Sequence, residues 1–346
     1  MKILMIILLW GMVLPMPAAA LEMEAPPVPG DGYLWMPENT QSLPEGLDQL
    51  IRKALGELRP DLREASGVSL SVVAATLLTG VLQSMSEPVK RTAGIAGSVS
   101  AAAILLMNTD SMVTLAADTV MSIADYGKLL LPVMTAALAA QGGVGASAAL
   151  YAATAGFSAL LTELFRRALI PGVWIFLALR IGGAASGEEL LRRLADMVKG
   201  VFVWTLKTLL MVFTTYLSLT GVVSGTTDAA ALKAARITMS SVVPVVGGVL
   251  SDASEAVLVS AGMMKNAAGI YGILAVLALF LHPFLQIGIH YLILKLTAAV
   301  CSVIGGKGIT DTVDAFSTAM GLLLGMTGAA CVMVLISTVC FLKGVG

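Results

Sequence analysis

Long runs of apolar residues with very few charges dominate the chain after residue 66. Residues 67–346 contain 13 acidic and 16 basic side chains, and the whole chain is 57% hydrophobic and 12% charged, with a mean hydropathy of +0.90. In soluble domains about a quarter of the residues are charged. Because these ionic groups are too few to cover the surface of a soluble fold, the composition predicts an integral membrane protein. Acidic and basic residues nearly balance, which gives no indication of a nucleic-acid partner.

The first 20 residues are typical of a secretory signal peptide. Lys2 supplies a positive charge, residues 3–14 are apolar, and Ala18, Ala19 and Ala20 provide a small-residue cleavage site. The apolar stretch is shorter than the roughly 20 residues that a spanning helix needs. We expect cleavage after Ala20, with an uncleaved anchor as the alternative.

Residues 21–66 are predicted to form an extracytoplasmic region in front of the membrane domain. Five prolines between residues 22 and 45 favour an extended leader. Leucines and one isoleucine at helical spacing in residues 46–64 predict an amphipathic helix. Two interpretations of that helix stay open: it lies on the membrane surface or on a partner, or it packs against the protein's own membrane domain.

The membrane domain, residues 67–346, is predicted to be all-α. Each apolar segment near 20 residues is a candidate transmembrane helix, because every backbone polar group in lipid must be hydrogen-bonded within the protein. We expect a polytopic helical bundle of about seven to nine spans, some of them broken or re-entrant. The candidate segments are residues 68–86, 92–107, 129–163, 168–186, 201–223, 267–281, 284–304 and 319–342.

Charged residues inside the apolar segments are the first candidates for function. These are Arg180, Lys207 and Lys295. Charge within a membrane is costly and often functional, although long side chains near the end of a span can extend toward the interface. Lys207 is the most interesting, because three residues continue its helix face as a stripe: Met211, Thr214 and Ser218. Two interpretations stay open, a lined pathway or gate and simple packing within the bundle.

Residues 221–272 are predicted to be a broken-helix region. Lys233 and Arg236 share one face of a first short helix, and Asp252 and Glu255 share one face of a second. A proline and two glycines between them break the helix, so the opposite charges could pair across a hinge. Broken helices of this kind surround transporter sites, whereas two amphipathic helices at the interface are the alternative. The candidate gate or structural polar residues are therefore Lys207, Thr214, Ser218, Lys233, Arg236, Pro244, Gly247, Gly248, Asp252, Glu255, Lys265 and Asn266.

A ladder of small residues near the C-terminus predicts close helix packing. Its members recur every four residues: Ser317, Gly321, Gly325 and Ala329. Small residues let helix backbones approach closely in lipid, where no hydrophobic force drives helices together. We expect packing within the bundle, with a homo-oligomer interface as the alternative.

No motif predicts catalysis or a cofactor. His282 and His290 are the only histidines and do not form a zinc-protease motif, and the chain has no P-loop for ATP. The three cysteines lie in or beside apolar segments without a CxxC pair, so we expect buried, reduced side chains. The sequence therefore predicts a protein that is not an enzyme and that has no catalytic, cofactor-binding or metal-binding residue.

The broken-helix region resembles the stage III sporulation protein AE family of endospore-forming Firmicutes. The resemblance rests on a combination of short motifs: Ser224-Gly225, Asp228, Lys233-Ala234, Val243-Pro244-Val245-Val246-Gly247, Leu250-Ser251-Asp252-Ala253, Glu255, Lys265-Asn266 and Gly269. A signal peptide followed by a polytopic body is similar to the same family. The similarity extends from about residue 67 to the C-terminus, and residues 21–66 add nothing to it.

The resemblance implies a multi-pass protein of the mother-cell membrane around the forespore, in a channel complex required for late forespore gene expression. It implies as partners the other proteins of the stage III sporulation A operon, including a cytoplasmic ATPase and ring-forming components, and the stage II sporulation protein Q complex. The family supplies no catalytic residue to carry over. The alternative function is an independent secondary transporter or permease, against which the lack of an internal repeat counts.

Overall fold

The computed structural model of the protein describes residues 26–30, 32–38, 42–85, 87–140, 144–219, 247–304 and 306–343. Within these ranges the regular secondary structure is helical, which confirms the all-α prediction. The helices are α1 (Gly32–Trp35), α2 (Leu43–Gly56), α3 (Leu58–Gln83), α4 (Glu87–Ala140), α5 (Val144–Leu164), α6 (Ile170–Ser186), α7 (Glu189–Leu219), α8 (Gly247–Ile304) and α9 (Lys307–Lys343). A π-helical turn, Phe165–Leu169, joins α5 to α6.

Six helical stretches among the described residues are long and apolar enough to cross a membrane. They are Leu43–Gln83, Pro88–Ala139, Ser147–Ser186, Glu189–Leu217, Ala267–Ile304 and Lys307–Leu342. The protein is thus a helical, membrane-type fold, whereas the expected seven to nine spans are not confirmed. The predicted signal peptide lies outside the described residues.

Several segments that the sequence presents as separate are parts of one continuous helix. Helix α8 runs through Pro283 and joins the predicted spans 267–281 and 284–304. Helix α4 likewise continues past Pro132, and the Thr135 hydroxyl donates to the carbonyl oxygens of Leu131 and Pro132 at 2.8 and 3.1 Å. A proline removes one backbone donor, but hydroxyl side chains and packed neighbours let membrane helices tolerate it. The proline positions therefore do not mark the ends of spans.

Helix α9 is the centre of the bundle. It packs against α4, α5, α6, α7 and α8, and 61% of its apolar window is buried, compared with 22% for that of α7. Gly308 at its start lies so close to its neighbours that a Cβ atom there would be 3.0 Å from the Ala184 carbonyl oxygen. Small residues thus let the start of α9 pack directly against the end of α6.

The N-terminal region packs onto the membrane domain. Leu50 of α2 is almost fully buried against Leu274 and Ala278 of α8, whereas Leu47 and Ile51 on the adjacent side of α2 are exposed. The interpretation of the amphipathic helix as packing on its own membrane domain is therefore confirmed for one side of α2. Among residues 26–30 and 32–38 of the proline-rich segment, the regular structure is the single helical turn of α1, which departs from the predicted extended leader.

Aromatic stacking explains why part of the leader folds. The indole ring of Trp35 lies on the imidazole of His282, with ring centroids 4.3 Å apart and an interplanar angle of 15°. The Lys53 ammonium lies 5.8 Å from the indole centroid and donates a hydrogen bond to the Leu34 carbonyl oxygen. Such contacts attach α1 to both α2 and α8.

Candidate functional site

An apolar groove runs along the outside of the bundle between α7 and α9. It has a volume of about 260 Å³ and is called the α7–α9 groove below. It is lined by Phe202, Val203, Leu206, Lys207 and Leu210 of α7 and by Gly321, Leu322, Gly325, Gly328, Ala329 and Val332 of α9. Lys207 is the one charged residue among these described lining residues, so the groove combines an apolar wall with a single cation.

Two of the three charges predicted within apolar segments have acidic partners from elsewhere in the fold. The Lys295 ammonium lies 2.5 Å from a carboxylate oxygen of Asp314, and the Arg180 guanidinium lies 3.9 Å from one of Asp196. Lys207 is exposed and has no ion pair or hydrogen bond with any described residue. Because an uncompensated charge in a membrane is costly, Lys207 is the residue for which a partner outside the described fold must be sought.

The Lys207 stripe faces away from the core of the fold. Met211, the next residue on that face, is 71% exposed. The Thr214 hydroxyl donates to carbonyl oxygens of its own helix, those of Leu210 and Met211, at 2.9 and 3.0 Å. Ser218 belongs to α7, but its side chain is outside the description. The assignment of this stripe to a gate or pathway stays a prediction.

The ladder of small residues lies on α9 and contacts two neighbouring helices, α8 and α7. The Ser317 hydroxyl donates to the Tyr291 carbonyl oxygen of α8 at 3.3 Å, and Gly321 lies beside the ring of that tyrosine. Gly325 faces Leu206 of α7, where an added Cβ would still be 3.8 Å from the nearest side-chain atom. Ala329, the last member, lines the groove as Gly321 and Gly325 do. The first part of the ladder is therefore a packing surface, and the rest is the floor of the groove.

The predicted broken-helix region is only partly described. Lys233, Arg236 and Pro244 lie outside the described residues. Helix α8 begins at Gly247, and its backbone also carries Gly248, Asp252, Glu255, Lys265 and Asn266, whose side chains are outside the description. The charge pairing across the hinge therefore stays a prediction.

A buried polar network between α3, α4 and α8 was not found from the sequence. His290 is 1% exposed, and its Nδ1 donates to the Gln286 carbonyl oxygen at 2.9 Å. The Asn108 amide nitrogen lies 3.2 Å from His290 Nε2 and 3.3 Å from a Glu64 carboxylate oxygen. In this arrangement the Asn108 amide nitrogen donates toward Nε2, and the Gln286 carbonyl oxygen accepts from Nδ1. Below, these residues are called the Glu64–Asn108–His290 network.

Asp61 lies beside this network and is unusually isolated for an acidic residue. It is 7% exposed, and its Oδ2 atom is buried without a hydrogen-bond partner. Both histidines and Glu64 are close enough to interact with it electrostatically. The sequence places the two histidines at polar edges of spans, and only the pairing of α3 with α8 brings them together with Asp61. The sign of this network in the sequence is Asn108, a single asparagine in a mostly apolar helix.

A second cavity, of about 350 Å³, lies where the N-terminal region meets α4 and α8. Trp35, Asp118, Thr119, Ser122 and His282 supply its polar groups. The Nδ1 atom of His282 is buried and has no hydrogen-bond partner. No group of three His, Cys, Asp or Glu side chains in the described part of the chain is arranged to hold a metal ion.

The cysteines have the environment that the sequence predicts. Cys301 and Cys331 are buried, Cys340 is half-buried, and none of the three is in a disulfide. Cys301 Sγ lies 3.2 Å from the Thr76 hydroxyl, a polar contact between α3 and α8. These side chains contribute to packing, and no pair of them forms a disulfide.

Comparison with known proteins agrees with the family resemblance in the sequence, but the match begins at residue 37 and not at about residue 67 as expected. The sequence model of the family described as stage III sporulation protein AE matches residues 37–344. The stage III sporulation protein AE of Bacillus subtilis (strain 168) is 22% identical over 215 residues, which are 62% of this chain and 54% of that protein. The chain thus aligns with about half the length of this curated relative. No solved structure matches the chain. Because the family model covers almost the whole sequence, the chain belongs to the stage III sporulation protein AE family.

Proposed function

We propose that this protein is a non-enzymatic membrane component of the channel or export complex that links the mother cell and the forespore. Late forespore gene expression and development would then require it. The observation that carries the proposal is the family match over residues 37–344, in a chain with six helical stretches able to cross a membrane. Membership of the family already supports a role in sporulation.

The position of the unpaired charge supports a component that works with other molecules in the membrane. Arg180 and Lys295 are paired within the fold, whereas Lys207 faces outward in the α7–α9 groove. That position fits a counter-charge supplied by another molecule in the membrane, and the lack of an internal repeat in the sequence counts against an independent transporter.

The partners and location proposed here follow from the family. We expect contact with other stage III sporulation A-operon proteins, including a cytoplasmic ATPase and ring-forming components, and with the stage II sporulation protein Q complex. The location is the mother-cell membrane that surrounds the forespore. Since the sequence has no P-loop, energy would come from the separate ATPase.

Deleting the gene in its spore-forming host tests the proposal. We expect development to stop after engulfment with loss of late forespore gene expression, while vegetative growth is normal and a wild-type copy restores spores. A secondary transporter would give a solute-dependent defect of growth or uptake in cells that are not sporulating. That second result, with normal sporulation, would refute the proposal.

A further inference from the structure

The α7–α9 groove is open because three of the α9 residues that line it are glycines. Beyond the local backbone of α9, no atom lies within 4 Å of the position that a Cβ would take at Gly328, and at Gly325 the nearest lies at 3.8 Å. Gly325 is exposed, although it belongs to the most buried helix of the fold. The floor is therefore an outward-facing surface of α9. The groove above it has a volume of about 260 Å³ and is bounded on the other side by apolar side chains of α7.

One end of this groove is marked by charged residues. The Arg192 guanidinium of α7 lies 2.7 Å from an Asp311 carboxylate oxygen of α9, so the N-terminal ends of the two helices meet. Beyond that end the charges almost cease: Lys207 is the one charged residue in residues 200–219, and residues 315–342 contain none. Membrane helices have charges at the interface and apolar residues in the hydrocarbon. The end near Arg192 is therefore at the level of the lipid headgroups.

A second lysine lies on the same face as Lys207, nearer the charged end. Lys199, Val203 and Lys207 follow each other at intervals of four residues, and Val203 lines the groove. Both lysines are exposed and have no ion pair with a described residue. They are about 12 Å apart along the helix axis at 1.5 Å per residue. Because helical side chains point toward the N-terminus, the Lys207 ammonium extends toward Lys199 and the headgroups.

The chemistry of this surface selects a ligand that is anionic at one end and apolar at the other. A soluble anion would leave the apolar groove empty, and a neutral acyl chain would leave Lys207 uncompensated. Basic pockets between membrane helices bind anionic headgroups. The groove is also below the roughly 300–1,000 Å³ of pockets for drug-sized ligands, which suits one narrow chain.

We propose that the α7–α9 groove binds an anionic phospholipid. One acyl chain lies over Gly321, Gly325 and Gly328, and the phosphate is held by Lys207 and Lys199. The lipid supplies for Lys207 the counter-charge that described residues of the fold supply for Arg180 and Lys295. This site is independent of the channel role proposed above.

Native mass spectrometry of the full-length chain, titrated with phosphatidylglycerol or phosphatidylcholine, tests the site. We expect preferential binding of phosphatidylglycerol to the wild type. Lys207→Gln should weaken that binding about fivefold, since one lysine near anionic lipid contributes about 1 kcal/mol. Lys128→Gln is the matched control, because Lys128 already pairs with Asp125 at 2.8 Å, and it should leave binding unchanged.

A second variant tests the groove separately from the charge. Gly325→Leu should fill the floor and displace both lipids, since the position has room for a side chain. Gly156→Leu is its control, because Gly156 is an exposed helical glycine away from the groove with no atom within 4 Å of its Cβ position. Circular dichroism and size-exclusion chromatography report whether each variant is folded.

Three outcomes would overturn the proposal. The first is unchanged phosphatidylglycerol affinity in folded Lys207→Gln and Gly325→Leu chains. The second is full competition by glycerophosphate, which would make the groove irrelevant and leave a simple phosphate site. The third is a dimer of the chain that dissociates in Gly325→Leu without any change in lipid binding, which would assign the groove to a partner helix.

Discussion

Removing one buried residue of the Glu64–Asn108–His290 network should destabilise the fold more than removing Asn108 and His290 together. In Asn108→Leu, the Nε2 atom of His290 loses its donor at 3.2 Å while remaining about 99% buried. A buried polar group left unsatisfied costs about 1–3 kcal/mol. Hydrogen bonds between membrane helices average only about 0.6 kcal/mol and reach about 1.7. We therefore expect a loss of about 1–2 kcal/mol in the free energy of unfolding.

The Glu64 side of the network should contribute little to that loss. Glu64 is exposed and its contact with Asn108 is long at 3.3 Å, so losing that contact leaves no buried group unpaired on this side. In the double variant Asn108→Leu/His290→Leu, the network leaves no buried polar atom unpaired, because the Gln286 carbonyl oxygen still accepts from the backbone N–H of residue 290, four residues on in α8. Replacing both partners by apolar groups can be nearly neutral. The double variant should therefore be more stable than the sum of the single variants predicts.

Reversible unfolding in mixed dodecylmaltoside and sodium dodecyl sulfate micelles, followed by tryptophan fluorescence, measures these free energies. The two single variants and the double variant form a cycle whose coupling energy should be about 1 kcal/mol. Glu64→Gln is the control and should stay within about 0.5 kcal/mol of the wild type, as surface substitutions do. Additive losses, or a larger loss in Glu64→Gln than in Asn108→Leu, would refute the reasoning.

Two further predictions concern packing and the broken-helix region. Gly308→Ala places a Cβ 3.0 Å from the Ala184 carbonyl oxygen and should lower the free energy of unfolding by about 1–3 kcal/mol. The control, Gly156→Ala, changes an exposed helical position and should not lower it. Equal effects of the two variants would contradict the close approach at Gly308. In sporulating cells, Asp252→Lys should lower spore counts, and adding Lys233→Asp should partly restore them if the two residues pair. A single Lys233→Asp change is the control, and no rescue by reversing either basic residue would remove the support for pairing.

The class of the fold follows from the sequence because it depends on composition and local pattern. Few charges and long apolar runs require helices in lipid, and the described residues are helical throughout their regular structure. The number of spans does not follow in the same way. Whether a helix ends at a proline depends on what its neighbours supply, and Pro283 lies inside α8 without ending it.

The candidate site is predictable only where it depends on one helix. Lys207 and its stripe are visible from spacing along α7, and the small residues are visible along α9. The two surfaces meet in a groove because of tertiary packing, which spacing along a single helix does not predict. In the same way, the partner of Lys295 is 19 residues away on the next helix, and the contact between Asn108 and His290 joins residues separated by 182 positions. No periodicity in the chain encodes such distances.

Helix α4 is much longer than a bilayer is thick. Its 54 residues extend about 80 Å at 1.5 Å per residue, against a hydrocarbon core of about 30 Å. Even a steep tilt of about 40° lengthens the path through the core only to about 39 Å. Roughly half of this rod must therefore stand outside the acyl chains. One continuous helix thus carries residues of the hydrocarbon core together with residues that lie well beyond it.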